Sequence, residues 1–484
     1  MTSPPFLRRL IPVCLLFAVA VACAVNPVTG RREIVFMSES QEIAMGKKSA
    51  PEIAASMGLY EDAALQRYVE DIGLRMAKIS ERPHLPWEFQ VVDDPLVNAF
   101  AVPGGFIYVT RGILAHFNNE AQLASVLGHE IGHVTARHSV AQYTKQIGAQ
   151  AVLIPAVVLV PELASVGQLL GAGVQVLLLK YGRDDETQSD RLGLQYMTRV
   201  GYAAKEMPEV FRTLDRIGAK SGAGGVPEWL SSHPKPANRE ALMKSLIAQL
   251  PDGAAEGKVG RKEFMDQIDG VVYGNDPRHG YFGDDGVFHH PDMAFRISFP
   301  RGWQYVNQRS VVGAVTQDQD AMLQLTLAQQ DTPEDAARAF LSAEGLQSTA
   351  PRGESIGGLP AVTLDFAAAG QGGNVRGVAA FVRHDGRVFQ ILGVAPENRF
   401  ATHDGTLRAA LQSFGRERSA AVLNVKPWRI DVVTPRSGYS VAGFAQAYPG
   451  PASAEDLALM NGIDPGGRYA AGVPAKRVVG SPLP

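Results

Sequence analysis

The sequence predicts an α+β protein of more than one domain, and three observations carry that reading. The chain has 484 residues, too many for one ordinary core. Its first half holds long segments with apolar residues every three or four positions, the period of a half-buried helix. Its second half mixes short alternating runs with single helices, as in a sheet covered by helices. Apolar content of 45% and charged content of 20% describe a folded protein. A formal charge of −3 argues against a nucleic-acid partner, which needs a basic excess.

Taken in order, the first element is an address. Arg8 and Arg9 precede the apolar run LIPVCLLFAVAVA, which predicts a secretory signal over residues 1–22. The run is too short to cross a bilayer as a helix. Cys23 follows AVA directly and resembles the cysteine of a bacterial lipobox, although Ala20 stands where leucine is usual. Lipidation at Cys23 would remove the one thiol that outlasts the leader, and acyl chains would tie a soluble body to a membrane. Alanine, not aspartate, follows Cys23, which favours the outer membrane. The expected location is therefore the periplasm, anchored to the outer membrane; plain secretion is the alternative.

Leu65, Val69, Ile72 and Met76 predict a helix over Glu61 to Ile79. WEFQVVDD, Trp87 to Asp94, reads as a strand. NAFAVPGGFIYVTRGIL reads as a hairpin turning at Pro103, Gly104 and Gly105. Asn118, Asn119 and Glu120 supply a helix start for LASVLGHEIGHVTARH, which runs to His138. Residues 147–179 are nearly all apolar or small, broken by Pro155, Pro161 and Glu162. They predict a buried helical hairpin over the site, with a membrane-touching lid as the alternative. A charged helix follows Tyr181. The first domain, 23–250, closes before the linker PDGAAEGKVG. Residues 260–420 predict an α+β sandwich, and 425–484 a small terminal module.

The chemistry lies in HEIGH. Residues four apart on a helix sit about 40° apart around the axis, so His129 and His133 can reach one ion. Zinc favours nitrogen ligands and tetrahedral geometry, and a catalytic zinc keeps one position for water. Glu130, about 100° further round, can take that water's proton as general base. Two histidines are too few. A third on the same helix would need histidine at 139 and glycine at 136, where the chain has Ser139 and Ala136. His138 falls about 140° round the helix from His133, off the metal face, and reads as a solvated or capping residue. In YGRDDETQSDRLGL, Glu186 and Asp190 again share a face. Glu186 is the leading candidate for the third ligand, and Asp190 for holding a ligand histidine or a nearby arginine.

HEIGHVTARH, the E-x-x-x-D of Glu186 and Asp190, and SSHPKPANR together resemble the zinc metallopeptidase family of heat-shock membrane proteases and CAAX prenyl proteases. The nearest branch is its soluble periplasmic members, many of them lipoproteins. The likeness covers roughly Asn26 to Leu250 and implies a mainly helical, zincin-type domain with a small sheet. It implies one zinc per chain on His129, His133 and Glu186, with Glu130 as general base. It implies Asp190 and Arg239 as supporting partners, and His233 as either an assistant to the transition state or a plug. Ser189 replaces the family's usual alanine. Asn98, Phe100, Gly104 and Gly105 fall in the family's segment before the metal helix and are candidate substrate contacts. If FIYVT or its partner strand is an exposed sheet edge, an extended polypeptide could add to it. GYSVAGFAQAYPG and LALMNGIDPGG resemble a LysM module, a glycan-binding fold, which makes peptidoglycan a possible partner.

The expected function is a zinc endopeptidase acting on misfolded or misassembled cell-envelope proteins. The alternative is a chaperone-like or peptidoglycan-binding assembly factor with little turnover; the intact Glu130 favours the enzyme.

Overall fold

The computed structural model describes residues 23–34, 37–144, 181–220, 229, 233, 239–251, 253–343, 345–370 and 373–483. The expected signal over 1–22 and the apolar stretch 147–179 lie outside them.

Two short paired strands, β1 (Cys23–Val25) and β2 (Arg32–Ile34), open the fold. Helix α1 (Glu39–Met57) begins at a capping box in which Ser38 and Gln41 satisfy each other's backbone donors. Helix α2 (Ala63–Ala77) starts at Asp62, whose carboxylate accepts from the Ala64 and Leu65 amides. Its predicted stripe of Leu65, Val69, Ile72 and Met76 is fully buried. Strands β3 (Glu88–Val92), β4 (Ala99–Val102) and β5 (Phe106–Thr110) form a sheet in the order β3-β5-β4. The hairpin is β4–β5, and its turn places Gly104 and Gly105 at φ 92° and 104°, where a side chain would be strained. FIYVT is β5, the central strand, so it is not an edge; β3 and β4 are the edges.

Helix α3 (Glu120–Thr135) is capped by Asn119, which accepts from the Gln122 amide, and every residue in it is buried. Helix α4 (Arg183–Arg199) lies against it. Glycines set the closeness of that pair. A Cβ at Gly193 would sit 2.8 Å from the His129 backbone nitrogen, and one at Gly132 would sit 3.0 Å from the Ser189 Cα. Three more helices follow: α5 (Glu206–Lys220), α6 (Arg239–Ile247) and α7 (Arg261–Ile268).

Packing around α3 continues past residue 250. One core joins Leu123, Leu127 and Ile131 to Phe264 and Ile268 of α7, and to Ile430, Phe444, Leu457, Met460 and Val478. The last five belong to one unit: strand Arg429–Val433, helices Val441–Ala447 and Ala454–Met460, and strand Ala475–Val479, the outer strands paired antiparallel and the short strands Tyr439–Ser440 and Arg468–Tyr469 paired between them. Lys476 in that unit is fully buried, and its ammonium donates to the carbonyls of Ala115 and Phe117 just before α3.

The intervening region is sheet-rich. Strands Leu359–Gly370, Gly373–His384 and Arg387–Pro396 form the middle of an eight-stranded sheet. Alternation divides its faces: Val378, Ala380 and Val382 meet helix Glu397–Gln412, while Ala379 and Phe381 meet helix Pro333–Leu341. The whole is therefore mixed α+β, with a helical first part and a sheet-rich second part. Among the described residues no helix is long and apolar enough to cross a membrane.

Candidate metal centre

Four side chains converge on one buried point: His129 and His133 from α3, Glu186 from the first turn of α4, and His233. His129 Nε2 lies 3.0 Å from His133 Nε2, His133 Nε2 lies 3.3 Å from Glu186 Oε1, and His129 Nε2 lies 3.6 Å from Glu186 Oε2. His233 Nδ1 is 2.9 Å from Glu186 Oε1 and 3.3 Å from His129 Nε2. Ligands at about 2.1 Å from a tetrahedral zinc stand roughly 3.4 Å apart, so these spacings fit the ion.

Behind the ligands stands a second layer. Asp190 Oδ1 lies 2.9 Å from His129 Nδ1, which fixes the ring with its Nε2 lone pair toward the centre. Arg239 holds Asp190 through Nε and Nη2, at 2.6 and 2.5 Å, and reaches within 3.4 Å of Glu186 Oε2. Phe211 and Trp229 flank the guanidinium, their ring centroids 4.2 and 5.0 Å from its carbon. With Asp190 at His129 Nδ1, the His129 Nε2 lone pair faces His133 Nε2, a carboxylate oxygen of Glu186 and His233 Nδ1 within one buried cluster, a nitrogen and oxygen donor set of the kind that zinc takes. That is the observation by which the residues present fit a metal.

Electrostatics agree with this. Burial pushes His129 below its ordinary value and His133 well below it, so both stay neutral, as ligands must. Burial raises Glu186, but the imidazoles of His233, His133 and His129 outweigh it and hold the carboxyl well below the usual range. Burial pushes Glu130 up to about 7. For His233, burial opposes charging, yet Glu186 and Glu130 prevail and raise it.

The structure thus brings together His129, His133, Glu186, Asp190, Arg239 and His233, with Glu130 Oε1 3.6 Å from His233 Nε2. The other candidates are placed differently. Phe100 packs beneath α1 with Ile53 and Val102 and stacks on Tyr108 at 5.1 Å. Gly104 abuts the backbone of Glu42 and Ile43, Gly105 lies beside Trp87, and the buried Asn98 pairs with Thr110. Cys23 opens β1.

Three neighbours escape a reading of the sequence alone. Tyr181 stacks on His133 with centroids 3.8 Å apart, and Trp229 stacks on His233 at 4.7 Å. His138, expected in solvent or at a cap, is instead buried with its Nδ1 3.0 Å from His133 Nδ1. The reason is a break in the backbone. Arg137 takes a left-handed conformation at φ 62°, so α3 stops and a new helical segment starts at 138. A helical wheel carried through position 138 therefore misplaces it.

A helix-borne H-E-x-x-H, completed by a glutamate from a neighbouring helix, defines the zinc-dependent metallopeptidase class. Residues 63–246 match the model of peptidase family M48, so this part of the chain is similar to that family. It is 34% identical over 170 residues to "Mitochondrial metalloendopeptidase OMA1" of Arabidopsis thaliana, covering 34% of this chain and 33% of that one. It is 30% identical over 224 residues to "Beta-barrel assembly-enhancing protease" of Escherichia coli (strain K12), covering 44% and 45%. The OMA1 metalloendopeptidase of Schizosaccharomyces pombe is 32% identical over 226 residues, covering 44% and 63%. The matches span from a third to under two thirds of these relatives' length.

Proposed function

We propose that this chain is a zinc endopeptidase that cleaves unfolded or misassembled proteins of the bacterial cell envelope. The observation that carries the activity is the buried convergence of His129, His133 and Glu186 beside Glu130. When bound, zinc supplies Lewis-acid polarisation and makes water a nucleophile at neutral pH. The rest falls to the chain. Asp190 and Arg239 keep His129 and Glu186 aimed. Glu130, with its carboxyl raised to about 7, takes a proton near neutrality and delivers it to the leaving amine. A dication bound beside it would pull that carboxyl down.

His233 is the fourth potential ligand of the cluster, and as a ligand it would take the position that water needs. Our reading is that it plugs the centre and must withdraw for turnover. His233→Ala should then raise proteolysis, whereas a fall would mean that it assists the reaction. The envelope substrate class rests on the predicted leader and on the name of the Escherichia coli relative; the proposed periplasmic location rests on the leader, and lipidation at Cys23 on the lipobox-like residues before it.

Casein provides the test. Glu130→Gln should abolish its degradation while zinc content stays at one per chain; equal loss of casein in both proteins would refute the enzyme. Glu186→Ala should lower zinc content, and unchanged stoichiometry would reject it as a ligand. The second reading, an assembly factor that binds peptidoglycan, rests on the resemblance of GYSVAGFAQAYPG and LALMNGIDPGG to a LysM module. Pull-down on purified peptidoglycan would separate the two.

A further inference from the structure

We infer that His138 is a positioning residue that fixes the tautomer of His133. This rests on the metallopeptidase reading, because it concerns how His133 is presented to the ion. The geometry around His133 alone permits two arrangements. Its Nε2 could carry a proton toward Glu186 Oε1, 3.3 Å away, or stand bare as a metal ligand. Which one holds is decided on the other side of the ring, where Nδ1 faces His138 Nδ1 at 3.0 Å. Two imidazole nitrogens can share only one proton.

The partners of His138 break the tie. Its Nε2 lies 3.1 Å from Gln188 Oε1 and 3.8 Å from Asp185 Oδ1, both acceptors. A proton on Nε2 is therefore favoured, and in the neutral ring Nδ1 is then bare. His133 must donate from Nδ1, which leaves its Nε2 lone pair facing the centre. The chain Gln188–His138–His133 thus does for one ligand what Arg239–Asp190 does for the other, with an imidazole in place of a carboxylate. Tyr181 completes the restraint by stacking on His133 at 3.8 Å, so the ring can neither flip nor tilt freely. The Ser189 hydroxyl lies 3.3 Å from the same His138 Nδ1, a longer approach than that of His133 Nδ1 at 3.0 Å, so the shorter contact takes the lone pair.

The test uses two variants of the full chain. His138→Leu fills the space but removes the acceptor; His138→Asn restores an oxygen near the position of Nδ1. Zinc affinity is measured by competition with a chromophoric chelator, and the ring N–H of His133 is observed by NMR in the zinc-loaded protein. Loss of a ligand's outer partner typically weakens metal binding by about 10- to 100-fold. His138→Leu should show that loss, with a fast-exchanging His133 N–H. His138→Asn should recover most of the affinity and restore the protected proton. Wild-type affinity in the leucine variant, or an equal loss in both variants, would overturn the assignment, the latter by showing that only packing matters. Failure of the wild type itself to bind zinc would instead refute the metallopeptidase reading.

Discussion

Arg239 is the side chain on which the aim of two ligands depends. It grips Asp190 with two nitrogens, leans toward Glu186, and is itself held between Phe211 and Trp229. Lysine offers one point of charge instead of a planar fork and cannot hold both oxygens of Asp190. Arg239→Lys should therefore weaken zinc binding by about 10- to 100-fold in a chelator competition. Unaltered affinity would mean that Asp190 keeps its place unaided. Much of this layer can be read from residue spacing, because four-residue intervals on helices translate directly into shared faces. Glu186 and Asp190 are recoverable that way. Tyr181 and Trp229 are not, since a stacking contact between aromatic rings and distant histidines leaves no periodic trace.

Elements bring those side chains within reach. Helices α3 and α4 approach closely only because Gly128, Gly132 and Gly193 carry no side chain at the crossing. Gly193→Ala would press a methyl group onto the His129 backbone, with no flexible neighbour to yield. The helices must then part. We expect a loss of about 1–3 kcal/mol in urea unfolding together with weaker zinc binding. A neutral variant would show that the crossing has slack.

The exit from α3 is held just as firmly. Arg137 donates to Glu42, which also pairs with Arg82, and all three are nearly fully buried. Removing the shared carboxylate leaves the buried Arg137 without its acidic partner, while Arg82 keeps Glu39, so Glu42→Ala should cost about 3 kcal/mol in urea unfolding. A smaller change would mean that water reaches the pair. That exit also marks where a sequence reading fails. A left-handed break is usually announced by glycine or asparagine, and Arg137 announces nothing. Its side chain is held by partners 95 and 100 residues away.

Across the whole molecule, the core that holds the metal helix is assembled from chain on both sides of the sheet-rich region. Local periodicity reveals each piece but not their union, because it carries no record of which faces meet. Lys476 makes the union testable. Burial holds its ammonium well below the ordinary 10.5. Between that lowered value and 10.5 the unfolded chain keeps a proton that the folded chain has released, so stability rises with pH over that window. In Lys476→Met this rise should vanish from urea midpoints taken from pH 7 upward; an identical slope would show that the group is solvated.

The same lysine fastens carbonyls 361 and 359 positions earlier in the chain. Contacts spanning so much sequence form slowly, since a very long loop must close before they offer any return. Maturation of the catalytic architecture should then lag behind the sheet-rich region, whose pairings are mostly local hairpins. Time-resolved refolding would show tertiary order arriving first around Phe381 and only afterwards the capacity to capture an ion.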